Sequence, residues 1–303
     1  MATSNCQIVQ AALMALQHPG GTFPAGLFSP IFRVCSCGTL MDLHGLRMTW
    51  RERQALVRQV HLKVVDIIAR ADQVAVVRRG AVMAADGTQT QLCVIDVWRL
   101  EDGLIVEGEQ CWNRLPGPAG DDMPFTAKEG ANAESVRLAL ASLQDLRGVQ
   151  ASLRQHWAPG FRGRVNGLAL DLEGLSRHWA ELQAKLSTVL VQVEELVAQG
   201  SGVGVVYRLL VGKRDIFRSR SFTRSLSRGS GGASLGSPGG GGCAEAGGAP
   251  AAGGSGGSAE LRVIAVFHLD SEGRIDRSAA VSELVSGSSD DEALSTAMPA
   301  AEE

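Results

Sequence analysis

The 303-residue chain has one tyrosine, Tyr207, with 10 prolines and 6 cysteines. So few cysteines in this length exclude a disulfide scaffold. Cys35-Ser36-Cys37 has no second cysteine or histidine pair at metal-binding spacing, so no metal and no cofactor are expected. No run of about 18 apolar residues exists, which excludes a membrane-spanning helix by sequence. Neither charge dominates: the formal net charge is −3, which argues against a nucleic-acid partner for the chain as a whole. No histidine stands with a serine or cysteine and a third orienting group in a recognisable pattern. The histidines are expected at the surface or at helix ends. The opening MATSNCQIVQAALMALQ has no basic residue before His18. It therefore lacks the positive start of a secretory signal and the arginine-rich pattern of a transit peptide, and the cytoplasm is the expected compartment.

Glycine is abundant, at 37 residues, and 14 of them fall in Gly229–Ser258. That stretch has almost no apolar side chains to offset its ordering entropy, so it is expected to be disordered. Immediately before it, Lys213–Arg228 (KRDIFRSRSFTRSLSR) is basic and serine-rich. The tail 286–303 is polar and acidic and is expected to be disordered as well.

The chain repeats itself. Ile8–Gln17 (IVQAALMALQ) matches Ser135–Gln144 (SVRLALASLQ). From Pro30 onwards the offset is 129 residues, and Met41–Ala55 (MDLHGLRMTWRERQA) pairs with Leu170–Ala184 (LDLEGLSRHWAELQA). Val94–Leu100 (VIDVWRL) then pairs with Val263–Leu269 (VIAVFHL) at an offset of 169. The 40 additional residues place the basic and Gly-rich stretch, about 213–258, inside the second copy. The first copy spans the same point with AADGTQ, a hairpin signal. Hairpin tips accept long insertions at small thermodynamic cost. The expected domains are 1–120 and 132–285, followed by the tail.

Each copy reads as a helix, an irregular segment, a second helix starting near Asp42 or Asp171, and then strands. Asp at these positions suits a helix N-cap. The strands are joined by hairpin signals, so the fold class is α+β, with a mainly antiparallel sheet packed on N-terminal helices. Along Val94–Trp98 the residues Val94, Asp96 and Trp98 share a face, as do Gly108, Gln110 and Trp112 on the next strand.

The segment VIDVWRLEDGLIVEGEQCW (Val94–Trp112) resembles the nuclear transport factor 2-like superfamily, in particular its SnoaL-like and ketosteroid-isomerase-like members. The second copy adds LEGLSRHWAELQAKL and VIAVFHLDSEGRI. The resemblance implies two tandem cone-shaped domains, each a curved sheet enclosing an apolar pocket. It implies a catalytic or pocket role for Asp96 and a ligand wall of Phe32, Trp98, Gln110 and Trp112. It also implies a homo-dimer or an internal pseudo-dimer. In ketosteroid isomerases a base, a tyrosine and a protonated Asp act together on an enolisable ketone. Here the first helix has no tyrosine, and Arg33–Thr39 has no carboxylate to act as base. Ala265, Ala280 and Ser282 stand in the second copy where the first has Asp96, Gln110 and Trp112. The leading expectation is a binding site for a small apolar ligand in the first copy, with the second as scaffold. The alternatives are an isomerase or cyclase using Asp96, and a protein-interaction scaffold acting through the sheets or the basic insertion.

Overall fold

The computed structural model describes residues 4–18, 20–115, 126–213 and 258–286. The Gly-rich stretch and nearly all of the basic segment and acidic tail lie outside the described residues. Among those described, no helix is long and apolar enough to cross a membrane.

The first copy runs α1 (Asn5–Gln17), β1 (Phe28–Ser36), β2 (Thr39–Asp42), α2 (Leu43–Leu56), β3 (Val57–Arg70), β4 (Gln73–Ala84), β5 (Gln89–Glu101) and β6 (Leu104–Arg114). The second runs α3 (Ala127–Ser142), α4 (Val149–His156), β7 (Trp157–Val165), β8 (Leu168–Asp171), α5 (Leu172–Lys185), β9 (Leu186–Gln199), β10 (Gly202–Lys213), β11 (Ser258–Leu269) and β12 (Ile275–Ser286). Each copy builds a six-stranded sheet, in the orders β2-β1-β6-β5-β4-β3 and β8-β7-β12-β11-β10-β9. The α+β class and the tandem arrangement expected from the repeat are therefore present.

The repeated residues have local causes. Asp42 accepts a hydrogen bond from the Gly45 amide at 2.7 Å, and Asp171 one from Gly174 at 2.8 Å, so each caps the helix that follows it. The first helix of each copy starts with a reciprocal box, Ser4 with Gln7 and Thr126 with Glu129. The second box lies upstream of the repeated apolar stretch, so α3 begins at Ala127 rather than near Ser135.

Two elements depart from the expected order. The strands β1 and β2 lie between the helices, and β1 pairs in parallel with β6, as β7 does with β12. The irregular segment before β7 is a helix, α4, whose Val149 and Leu153 are buried. In the first copy the corresponding segment holds Gly20, Gly21, Gly26 and Pro24 and makes only a 3-10 turn, Ala25–Leu27.

Strand alternation divides each sheet into two buried faces. On β4, β5 and β6, Val76, Trp98 and Ile105 pack toward α1 with Val9 and Leu13. The alternate residues Val77, Ile95, Val97 and Cys111 meet Val197, Val206, Ile264 and Val281 of the other sheet. The two copies thus pack sheet against sheet.

The contacts between them are reciprocal. The tight turn Cys37-Gly38 has φ of 51° and 90°, and its repeat Asn166-Gly167 has 49° and 91°. A Cβ on Gly38 would lie 2.1 Å from the Ser201 hydroxyl, and one on Gly167 would lie 2.7 Å from Asp72. Residues 72 and 201 are themselves related by the 129-residue offset. Each copy therefore presses the same turn into the same place on the other, which is the signature of an isologous interface.

Candidate ligand-binding site

A cavity of about 290 Å³ lies in the first copy between the sheet and the helices α1 and α2. Its wall is mainly apolar, with Leu13, Val34, Leu46, Trp50, Trp98 and Trp112 among the lining residues. The polar residues that reach it include Arg53, Arg78, Gln110 and Ser36.

Strand pairing explains this set. Val76 is opposite Asp96, and Arg78 is opposite Val94, so Arg78 and Asp96 are diagonal neighbours on the helix-facing side of β4 and β5. Gln110 on β6 stands directly opposite Asp96. Asp96 is fully buried. Its Oδ2 accepts from Arg78 Nε at 2.8 Å and lies 2.7 Å from Arg78 Nη2. Its Oδ1 accepts from Gln110 Nε2 at 2.6 Å. Ser36 Oγ then donates to Gln110 Oε1 at 3.0 Å. A buried carboxylate is tolerated when it is paired and hydrogen-bonded in this way.

The residues expected from the sequence take different places. Trp98, Gln110 and Trp112 line the cavity. Asp96 does not; it sits behind Arg78 and Gln110 and fixes both. Phe32 is also behind the wall, stacked on Trp98 at a centroid distance of 6.4 Å and set edge-on to Phe28. Gly108 makes room for the Trp98 ring: a Cβ there would lie 2.6 Å from Trp98 Cζ3 and 3.2 Å from Val34 Cγ2. The Trp98 indole N–H is buried and has no acceptor among the described residues. Sequence reasoning missed Arg78, Arg53 and Trp50. An arginine in a β-branched run, two residues beyond the position opposite Asp96, was the available signal for Arg78.

The second copy has a smaller cavity, about 120 Å³, lined by Trp157, Phe161, Trp179, Tyr207 and neighbours. Tyr207 falls where the first copy has Arg78, and Ala265 where it has Asp96. Neither member of the ion pair is present in the second copy. Burial alone raises the Tyr207 hydroxyl pKa well above its ordinary value. A third hollow, about 670 Å³, is an open groove at the seam between the copies with mixed charge, including Glu107, Glu109, Arg162 and Arg277.

No protein-family profile matches the chain, and no curated protein matches it. Several solved structures are similar to about half of it or less. A SnoaL-like protein from Jannaschia sp. CCS1, assigned as a polyketide cyclase, is 20% identical, covering 53% of this chain and 91% of its own, with a TM-score of 0.36. A hypothetical protein with a ketosteroid isomerase-like fold from Catenulispora acidiphila is 16% identical, covering 40% and 96%, with a TM-score of 0.34. An NTF2-like protein of unknown function from Burkholderia pseudomallei is 21% identical, covering 37% and 92%, with a TM-score of 0.32.

A second polar cluster lies between the copies. Cys35 Sγ is 3.8 Å from His268 Nδ1, and His268 Nε2 is 2.6 Å from Glu109 Oε2. Arg277 Nη2 donates to Cys35 Sγ at 3.4 Å. Cys35, Glu109 and His268 are a donor set of the kind metals use. His268 turns a different ring nitrogen to each partner, Nδ1 to Cys35 and Nε2 to Glu109. Burial pulls the His268 pKa down, but the hydrogen bonds and charges of Cys35 and Glu109 outweigh it and raise it to about 9. His268 and His178 are both buried, contrary to the expectation of surface or helix-end histidines. His268 lies in a strand whose outward face is covered by the other copy, and the repeat alone did not reveal that cover.

The remaining interface thiols differ in character. The hydrogen bond from Cys111 lowers the Cys37 pKa against burial, and the same bond, with burial, raises that of Cys111. Burial, followed by the hydrogen bond to Glu195, pushes Cys93 up to about 12.

Proposed function

We propose that the first copy is a binding chamber for a small, mainly apolar molecule and that the second copy is chiefly its scaffold. The observation that carries this reading is the cavity of about 290 Å³ with Trp50, Trp98 and Trp112 in its wall. Its volume is near the lower end of the roughly 300–1,000 Å³ typical of small-molecule pockets. The sheet face away from the cavity is occupied by the other copy, so it does not serve as an open docking surface.

An isomerase or cyclase reading is less well supported. Proton abstraction requires a base within hydrogen-bond reach of the substrate. The titratable residues lining the described cavity are Arg53 and Arg78. Asp96, the candidate catalytic acid, already accepts bonds from Arg78 and Gln110 and stands behind them. Its role in this reading is to position those two side chains.

The lining tryptophans supply the test. Titration of the full chain with 1-decanol or methyl decanoate is expected to change tryptophan emission saturably. An unchanged emission, together with no heat of binding by calorimetry, would rule out the chamber.

A further inference from the structure

The polar inventory of the same chamber is one-sided. Among the described residues Arg53 and Arg78 line it, and no carboxylate does. Asp96 neutralises Arg78 from behind. Arg53, exposed at the mouth on α2, has no ion pair with any described residue. One positive charge is therefore left over around an otherwise apolar space.

The hydrogen-bonding groups point the same way. Gln17 Oε1 accepts from the Leu62 amide, Gln54 Oε1 from the Gly20 amide, and Gln110 Oε1 from Ser36. The amide carbonyls of the wall are thus all engaged by the protein. The donors are not. Arg78 uses Nε and Nη2 on Asp96, which leaves Nη1 without an acceptor among the described residues. Trp98 Nε1 has none among them either. A guanidinium has five N–H donors and no acceptor, and a buried donor without a partner is costly. Protein packed around Arg53 lowers its pKa, Cys37 opposes this, and the like charge of Arg78 lowers it further. Arg53 thus carries a charge that an anion in the chamber would pair.

We infer that the natural occupant is an amphipathic monoanion, an apolar body carrying one carboxylate, with the carboxylate held between Arg53 and Arg78. Arg78, set by Asp96, supplies a fixed donor, whereas Arg53 at the mouth supplies the unneutralised charge. The second copy, with Tyr207 and Ala265 in place of the ion pair, has no arginine or lysine among the described residues lining its cavity, and burial lowers the pKa of its one histidine there, His178, so this cavity does not select for an acid.

This inference rests on the chamber reading, and the two are tested separately. Decanoate, methyl decanoate and decylamine share a chain and differ in the head group. By tryptophan fluorescence at about pH 7.5, where the acid is ionised, decanoate should bind at least about tenfold more tightly than its ester, and the amine least tightly. In Arg53→Gln the ratio of acid to ester affinity should fall toward one. Equal binding of acid and ester, or an undiminished ratio in Arg53→Gln, overturns the carboxylate assignment and leaves an apolar chamber. Binding of none of the three overturns the chamber itself.

Discussion

His268 Nε2, on β11 of the second copy, lies 2.6 Å from Oε2 of Glu109, on β6 of the first, with both side chains buried. The pair joins the copies through a group that titrates. The His268 pKa is raised from 6.5 to about 9, so its contribution to stability is fully present below the unfolded value and is lost as pH rises through about 9. Glu109→Gln removes the charge partner. Chemical denaturation should show the variant least stable relative to the parent chain at about pH 6, with the gap narrowing by about pH 9.5. A gap that is constant across this range would contradict the assignment.

Asp96→Asn tests the other buried ion pair. Removing one partner leaves the Arg78 guanidinium buried without its counter-charge, and such losses typically cost about 3–5 kcal/mol. The double change Arg78→Met with Asp96→Leu removes both charges and should recover part of that loss. Denaturant midpoints for the three chains give the comparison. A single variant within about 0.5 kcal/mol of the parent would mean that the pair does not hold the wall.

Gly108→Ala should act on the chamber. The new methyl would stand 2.6 Å from Trp98 Cζ3, so the ring must move. Overpacking of this kind costs about 1–3 kcal/mol. Because Trp98 is in the wall, methyl decanoate binding should weaken as well. Stability and affinity both unchanged would show that the ring has free space elsewhere.

Much of the fold was legible because local rules and the repeat agreed. Asp42 and Asp171 recur because each caps a helix, and Gly38 and Gly167 recur because each turn enters the other copy. The period-two pattern put Val94, Asp96 and Trp98 on one face, and in the structure that face looks toward the helices. What the pattern could not say is which residue lies in front of another. Asp96 and Phe32 share the proper face but sit behind Arg78 and Trp98, because depth depends on side-chain length and on the diagonal partner across the sheet. The pairing of β1 was illegible for a different reason: it runs parallel to β6, which is distant in sequence.

Gly204→Val tests whether the copies form one cooperative body. A Cβ at Gly204 would already lie 3.0 Å from Ile95 Cβ and from Val197 Cγ2. The larger side chain should force the sheets apart and destabilise both copies together, whereas Gly26→Val, with open space around it, should be nearly neutral. Unfolding followed by tryptophan emission and by circular dichroism should remain coincident in the parent chain. Two separated transitions would show that the copies fold independently.

The strands β10 and β11 pair antiparallel from Gly202 opposite His268 to Gly212 opposite Ser258, although 44 residues separate Lys213 from Ser258. The covalent link between them is thus not what aligns them. A protease cut within 214–257 would leave a nicked molecule whose two pieces remain docked edge to edge, with β11 still carrying His268 to Glu109. Expressed as separate polypeptides, the same two pieces have the register needed to find each other and reconstitute the second sheet.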